Sequence, residues 1–159
     1  MSGCRQSGSR CAFTLVEVMI VTAVVGLVAV LALPSFAKAR RTSRIVAFTE
    51  NLRHAYDAFQ QYAVDYGTYP PDVNRGVTPN GMSGYLGSLD WTKPTPLGGT
   101  WDWDRNSQGV SAGISVIPDA PMSSSAADFL EVDQRIDDGH LTTGSFILNG
   151  DRYTFVVEQ

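Results

Sequence analysis

One ionisable residue lies at the edge of the apolar N-terminal stretch of this 159-residue chain. Glu17 directly precedes 20 positions without a charged residue, Val18 to Ala37. A carboxylate beside such a segment is energetically costly and needs a cationic partner. No Lys, Arg or His occurs between residues 11 and 37. The partner must therefore come from outside the segment or be created.

The other reactive residue types do not form a catalytic pattern. Cys4 and Cys11 both precede the apolar run, so the rest of the chain has no disulfide, thiolate nucleophile or cysteine zinc site. The sequence contains no phosphate-binding glycine loop, H-E-x-x-H motif or serine elbow. His54 is expected at the solvated rim of a helix and His140 in a turn. We predict no catalytic residue, no enzyme and no cofactor.

Several acids in the C-terminal part are oxygen donors of the kind that calcium prefers. They are Asp102, Asp104, Asp137, Asp138 and Asp151. Their spacing matches no ligand motif, and solvated surface acids account for them more simply. No metal site is predicted.

The charge balance argues against a nucleic-acid partner. The net charge is −4, and residues 13–159 carry 10 basic against 16 acidic residues. Basic residues cluster only at Lys38, Arg40, Arg41 and Arg44. An acidic body repels phosphate, so no nucleic-acid binding is expected.

The uncharged run predicts a membrane anchor. As a helix its 20 residues would span about 30 Å, enough to cross the hydrocarbon core. It is longer than the apolar region of a secretory signal, roughly 7–15 residues, and no A-x-A-like cleavage site follows it. Flanking charge leaves the orientation open, because two arginines precede the run and four basic residues follow it.

The segment AFTLVEVMIV, residues 12–21, resembles the processing site of type IV pilins and type II secretion pseudopilins. The resemblance implies that a prepilin peptidase cuts between Ala12 and Phe13 and N-methylates the new terminus at Phe13. Glu17 is then the fifth residue of the mature chain, and the new ammonium is its missing cation. The family usually has Gly before the cut. Ala12 is the next smallest side chain, so cleavage is expected to survive.

Two more positions match the same family. Gly26 and Pro34 bracket the part of the helix that loosens when family members pack into filaments. Both weaken a helix, Gly26 by about 1 kcal/mol and Pro34 by removing a backbone donor. The resemblance also places the N-terminus on the cytoplasmic side.

Apolar residues then recur every three or four positions, as on one face of a helix. They are Ile45, Phe48, Leu52, Ala55, Phe59, Tyr62 and Tyr66. One kinked helix is predicted from Phe13 to about Tyr66, ended by Gly67 and Pro70-Pro71. The phrase YAVDYGTYP, residues 62–70, resembles the end of the long helix in pseudopilins.

The remainder predicts a small antiparallel sheet. Residues 67–98 are rich in Pro and Gly and predict loops. Strands are expected at 100–104, where Trp101 and Trp103 alternate with acids as in a half-buried strand, and at 110–117. One tryptophan is expected in the core and the other at the packed surface. A capping box at Ser125 begins a short helix to about Ile136, and strands 145–148 and 152–157 flank a hairpin signal at Asn149-Gly150.

The predicted fold class is α+β: a pilin-like fold with a long, kinked N-terminal helix packed on a small antiparallel sheet. The predicted division has four parts: a cleaved leader at 1–12, a transmembrane and assembly helix at 13–36, the amphipathic half of the same helix at 37–66, and an α+β globular region at 67–159.

The resemblance implies a structural subunit that polymerises through its N-terminal helix into a type II secretion pseudopilus. The alternative is a type IV pilus subunit, major or minor, serving adhesion, motility or DNA uptake. The implied partners are the prepilin peptidase, other pilin or pseudopilin subunits, the inner-membrane assembly platform and the membrane. The implied location is the bacterial inner membrane, with the C-terminal region periplasmic.

Overall fold

The computed structural model describes residues 14–119 and 126–159, with the backbone alone at residues 31–34. The elements in chain order are helix α1 (Leu15–Tyr66), strands β1 (Thr100–Ser107) and β2 (Val110–Ile117), helix α2 (Ala126–Ile136), and strands β3 (Phe146–Asn149) and β4 (Arg152–Glu158). A single 3₁₀ turn, Met82–Gly84, lies between α1 and β1. The chain divides into two compact units, Met1–Arg40 and Arg41–Gln159. The α+β class with a long helix and a small sheet is confirmed.

The apolar stripe on the second half of α1 forms one side of the core. Ile45, Phe48, Leu52, Ala55 and Phe59 are all buried, as their helical spacing predicted. Tyr66, predicted as the last member, is the final residue of the helix and is 62% exposed. The Gly67 N–H bonds the Ala63 carbonyl at 2.8 Å and closes the last turn.

The four strands form one antiparallel sheet in the order β1-β2-β4-β3. The expectation for the tryptophans was wrong: Trp101 and Trp103 are 1% and 0% exposed. Residues two apart in a strand share a face. This face meets α1, where Trp101 stacks on Phe48 at 5.4 Å between ring centroids and Trp103 stacks on Phe59 at 3.8 Å.

Residues 67–98 contain no strand, as predicted, yet they supply part of the core. Met82, Leu86, Trp91 and Leu97 are each at most 2% exposed. The Trp91 ring lies 5.5 Å from Phe59 and 5.6 Å from Trp101, between centroids. The segment 67–98, which forms no sheet, is therefore held in place by its buried side chains.

The C-terminal part follows its predicted elements with two differences. Helix α2 ends at Ile136 as expected, while the capping residue Ser125 lies outside the described residues. The β3–β4 hairpin loop is Gly150-Asp151, one residue later than predicted, since Asn149 pairs with Arg152 in the ladder. Gly150 has φ of +64° at the first loop position, where type II′ hairpins require glycine.

Candidate functional site

The start of α1 places Glu17 in a reciprocal cap with Thr14. The Thr14 N–H and hydroxyl both donate to Glu17 Oε2, at 2.8 and 2.9 Å, and the Glu17 N–H donates to Thr14 Oγ1 at 3.2 Å. This is a capping box, in which two backbone donors that the helix leaves unpaired are satisfied by side chains. The signal Thr14-x-x-Glu17 is legible in the sequence and was missed there.

The Glu17 carboxylate can act in two ways, as a hydrogen-bond acceptor in the cap and as a negative charge that needs a cation. Thr14 is neutral, so the cap satisfies hydrogen bonds at Glu17 without neutralising its charge. Among the described residues no Lys, Arg or His forms an ion pair with Glu17. The requirement for a cation, inferred from the sequence, is thus unchanged by the fold of the single chain.

The first part of α1 presents apolar side chains on all sides. Residues such as Leu15, Ile20, Val25 and Leu27 are 59–76% exposed. A helix that is apolar all round is stable only inside a membrane or surrounded by other apolar helices. The described residues provide neither environment at this segment.

Among the described residues, Gly26 has no packing partner that would account for its small size. A Cβ built at this position meets no atom within 4 Å, other than its own helix's backbone and chain neighbours. Glycine in a helix interior costs roughly 1 kcal/mol relative to alanine. Nothing in the described part of the chain offsets that cost, so any benefit of Gly26 lies in helix flexibility or in contacts with another molecule.

The remaining predicted site residues are only partly visible. Pro34 lies within α1, and Ala12 and Phe13 lie outside the described residues. Within the described part of the chain, no single helix is long and apolar enough to cross a membrane. The bent pair Leu15–Val30 and Ser35–Tyr66 reaches the needed length and composition only when its two parts are taken together.

Part of the predicted basic cluster is engaged within the chain. Arg41 Nε contacts Asp128 Oδ1 at 2.5 Å, and its Nη1 contacts Glu131 Oε2 at 2.7 Å, both on α2. Arg44 Nε donates to the Pro96 carbonyl at 2.8 Å. These two arginines join the C-terminal elements to α1.

The acids of β1 were expected on an exposed face, and the structure buries them. Asp102 and Asp104 are 6% and 3% exposed on the sheet face opposite the tryptophans. Arg152 Nη1 lies 2.9 Å from Asp102 Oδ2 and 3.2 Å from Asp104 Oδ1, and Ser115 donates a hydrogen bond to Asp104. Arg152, 50 residues after Asp102 in the chain and with its side chain 13% exposed, pairs with both carboxylates and so makes their burial possible.

Burial raises the pKa of Asp102 to about 6, and the Asp104 charge adds to that effect against the opposing pull of Arg152. The ordinary pKa of an aspartate is 3.8. Between about pH 4 and 6, Asp102 is therefore protonated in the folded state and ionised in the unfolded state. Stability from this group therefore falls as pH rises through that window.

Asn at position 102 has no proton to lose. We therefore expect the free energy of unfolding of Asp102→Asn, relative to that of the unchanged chain, to rise by up to about 3 kcal/mol between pH 4 and pH 7. Denaturant unfolding of the detergent-solubilised chain at several pH values measures this. Asp57→Asn, which removes an exposed carboxylate from α1, is the matched control. A pH-independent difference for Asp102→Asn would contradict the assignment.

The histidines occupy the positions expected from the sequence. His54 is exposed on α1, and His140 is in the turn after α2, with its side chain 75% exposed. The acids considered for calcium are divided between two places. Asp102, Asp104 and Asp151 contact Arg152, whereas Asp137 and Asp138 lie beyond the end of α2, close to the buried Asp133.

Comparison with known proteins identifies the N-terminal segment. Residues 8–33 match the family described as the prokaryotic N-terminal methylation motif. This motif is characteristic of prepilin-type cleavage in type IV pilins and pseudopilins. The match includes Ala12, Phe13, Glu17 and Gly26 and ends one residue before Pro34. No curated protein and no solved structure matches the chain.

Proposed function

We propose that this chain is a structural subunit of a type II secretion pseudopilus, assembled through its N-terminal helix. The observation that carries the proposal is the methylation motif at residues 8–33, which is typical of pilin-like subunits. The exposed apolar surface of the first part of α1 supports it, because such a surface requires either lipid or neighbouring helices.

The proposed maturation removes residues 1–12 and leaves Phe13 as an N-methylated terminus. The new ammonium supplies the cation that Glu17 lacks. In the membrane the subunit can retain water near this carboxylate. In a filament the surrounding helices exclude water, and Glu17 pairs with the Phe13 ammonium of a neighbouring subunit. Because charge pairing is strong at low dielectric, it sets the axial register between subunits.

Gly26 and Pro34 are proposed to let the helix loosen as it enters the filament. Pro34 removes one i→i−4 hydrogen bond, and Gly26 weakens the helix without packing against any of the described residues. Both therefore lower the cost of unwinding the segment between them. Residues 13–36 form the transmembrane and assembly helix in this proposal, residues 37–66 its amphipathic half and residues 67–159 the globular region.

The proposed partners are those that leader removal and filament assembly require. A prepilin peptidase processes the chain, and an inner-membrane assembly platform extracts it into a filament of pilin-like subunits. The N-terminus begins in the cytoplasm and the C-terminal region lies in the periplasm.

A type IV pilus subunit is the second candidate. Two features favour the pseudopilus: the helix-ending phrase at residues 62–70 resembles pseudopilins, and no cysteine after residue 11 is available for the C-terminal disulfide common in pilins.

Deletion of the gene in its host distinguishes the two candidates. We expect loss of protein export across the outer membrane, with surface filaments, twitching and DNA uptake unchanged. A plasmid copy of the unchanged chain should restore export. Normal export combined with loss of surface filaments would instead identify a pilus subunit.

A further inference from the structure

Two basic residues follow directly after the apolar first part of α1. Lys38 and Arg40 are both exposed, and Phe36, just before them, is 70% exposed. The described ion pairs include none that involves Lys38 or Arg40. Their neighbours Arg41 and Arg44 differ, since both bond to residues of the C-terminal part. Lys38 and Arg40 are therefore positive charges that the described residues do not neutralise.

The helix itself offers these two charges no acidic partner. The sequence has no Asp or Glu between Glu17 and Glu50. Glu50 is ten residues beyond Arg40, or about 15 Å along the helix axis. That separation exceeds the Debye length of about 8 Å at physiological ionic strength. A counter-charge for Lys38 and Arg40 therefore comes from another molecule or from the solvent.

The two side chains lie on different sides of the helix. An α-helix turns by about 100° per residue, so positions 38 and 40 are about 200° apart around the axis. A partner protein that contacts one side of the helix reaches only one of them. Both are reached by a partner that surrounds the helix. The apolar residues of the first part of α1 call for the same kind of partner, because they too are exposed on all sides.

The depth of these residues in a bilayer identifies that partner. The 20 uncharged residues Val18 to Ala37 cover about 30 Å as a helix, which equals the thickness of the hydrocarbon core. Lys38 is the first residue beyond that length, and Arg40 lies about 3 Å further on. The headgroup layer extends roughly 5–7 Å beyond the core on each side. Both charges would therefore lie in the headgroup layer, with their aliphatic stems against the apolar surface.

We propose that Lys38 and Arg40 bind the phosphate groups of anionic phospholipids, at the level where α1 leaves the hydrocarbon core. Phosphate oxygens accept hydrogen bonds from ammonium and guanidinium groups, and anionic lipids add an attraction that zwitterionic lipids lack. Lipid contacts on both sides of the helix would fix the depth of the subunit before assembly. Because the site needs a bilayer, it rests on the proposed membrane anchoring, but not on the choice between pseudopilus and pilus.

Native mass spectrometry of the full chain released from nanodiscs tests the site by counting the lipids that stay bound. The nanodiscs contain equal parts of phosphatidylglycerol, which is anionic, and phosphatidylcholine, which is zwitterionic. One basic residue near an anionic surface changes affinity about fivefold, so we expect bound phosphatidylglycerol to exceed bound phosphatidylcholine by about that factor.

Salt distinguishes a lipid headgroup from free phosphate. Sodium chloride should reduce the excess of phosphatidylglycerol, because it screens the attraction. Sodium phosphate at the same ionic strength should reduce it no further. A larger loss in sodium phosphate would show that the two residues take free phosphate instead of a lipid.

Lys38→Gln/Arg40→Gln removes both charges from exposed positions, so this variant should fold normally and melt at the same temperature as the unchanged chain. We expect its bound phosphatidylglycerol and phosphatidylcholine to become nearly equal. The control Arg53→Gln/Lys93→Gln removes two charges from other exposed side chains and should keep the excess. Arg53 lies about 20 Å beyond Arg40 along α1. Lys38→Arg/Arg40→Lys retains both charges and should keep the excess too.

Insertion is measured separately, as resistance of the vesicle-bound chain to extraction at alkaline pH. A chain that is extracted would contradict both the lipid site and the proposed anchoring. A chain that resists extraction but binds the two lipids equally would contradict the lipid site alone. An excess that persists in Lys38→Gln/Arg40→Gln would place the anionic lipids elsewhere. Reduced filament yield from that variant, with bound lipid unchanged, would assign the two charges to neighbouring subunits instead.

Discussion

Glu17→Val protein is expected to insert and be cleaved normally but to enter filaments about 100 times less than the unchanged chain, or worse. The substitution makes the segment more apolar, so membrane insertion is not impaired. Removing one partner of a desolvated ion pair costs about 3–5 kcal/mol, which corresponds to roughly two to three and a half orders of magnitude in an association constant. The measurement is the subunit content of sheared filaments, with cleavage followed in parallel.

The cap seen in the structure requires two controls, because Glu17→Val also removes the bonds to Thr14. Glu17→Gln keeps an acceptor for the Thr14 N–H but carries no charge. Thr14→Val removes the capping hydroxyl and keeps the carboxylate. A capping box contributes about 1 kcal/mol, less than the ion pair.

If charge pairing sets the register, Glu17→Gln should assemble as poorly as Glu17→Val, and Thr14→Val should assemble nearly normally. Glu17→Asp should be intermediate or worse, since its shorter side chain does not reach as far. Normal filament yield from cleaved Glu17→Val protein would show that Glu17 does not set the register.

The second large effect is expected at the cleavage site. Ala12→Trp should leave the chain unprocessed, because the family resemblance places a small residue immediately before the scissile bond. Ala12→Gly should be processed as fast as the unchanged chain or faster. Intact-mass measurement of membrane-extracted protein reports both removal of the leader and methylation of Phe13.

Ser7→Trp is the matched control, since it adds the same bulk to the leader away from the bond and should be cleaved. A mature chain that still begins at Met1, or one cut beyond residue 30, would contradict processing at Phe13. Cleavage of Ala12→Trp at the normal rate would show that the residue before the bond is not size-restricted.

The sequence alone determined most of the elements, because their signals are local. The apolar stripe of α1, its stop at Gly67 and the positions of the strands depend on residues only a few places apart. The N-terminal motif is equally local: the spacing of Phe13, Glu17 and Gly26 needs no tertiary contact to be recognised. The cap between Thr14 and Glu17 belongs to this group too, although its signal was missed.

The alternation of residue types in β1 also showed which residues share a face of the sheet, but it did not show what covers each face. Alternation places Trp101 with Trp103 and Asp102 with Asp104. Only the tertiary structure shows that α1 and the loop tryptophan Trp91 enclose the first pair. Burial of the second pair depends on Arg152, brought alongside by the strand order β1-β2-β4-β3.

The same reason explains why the acidic cluster at the end of α2 was not predicted from spacing. Asp137 and Asp138 stood out as acids, whereas Asp133 resembled any helical carboxylate. Asp133 is buried one turn after Phe129, whose ring centroid lies 5.8 Å from that of Phe48 and 3.9 Å from that of Tyr153. Periodicity shows which residues share a face of a helix or strand. Whether that face is removed from water depends on residues distant in the chain that cover it, and only the folded chain brings those residues together.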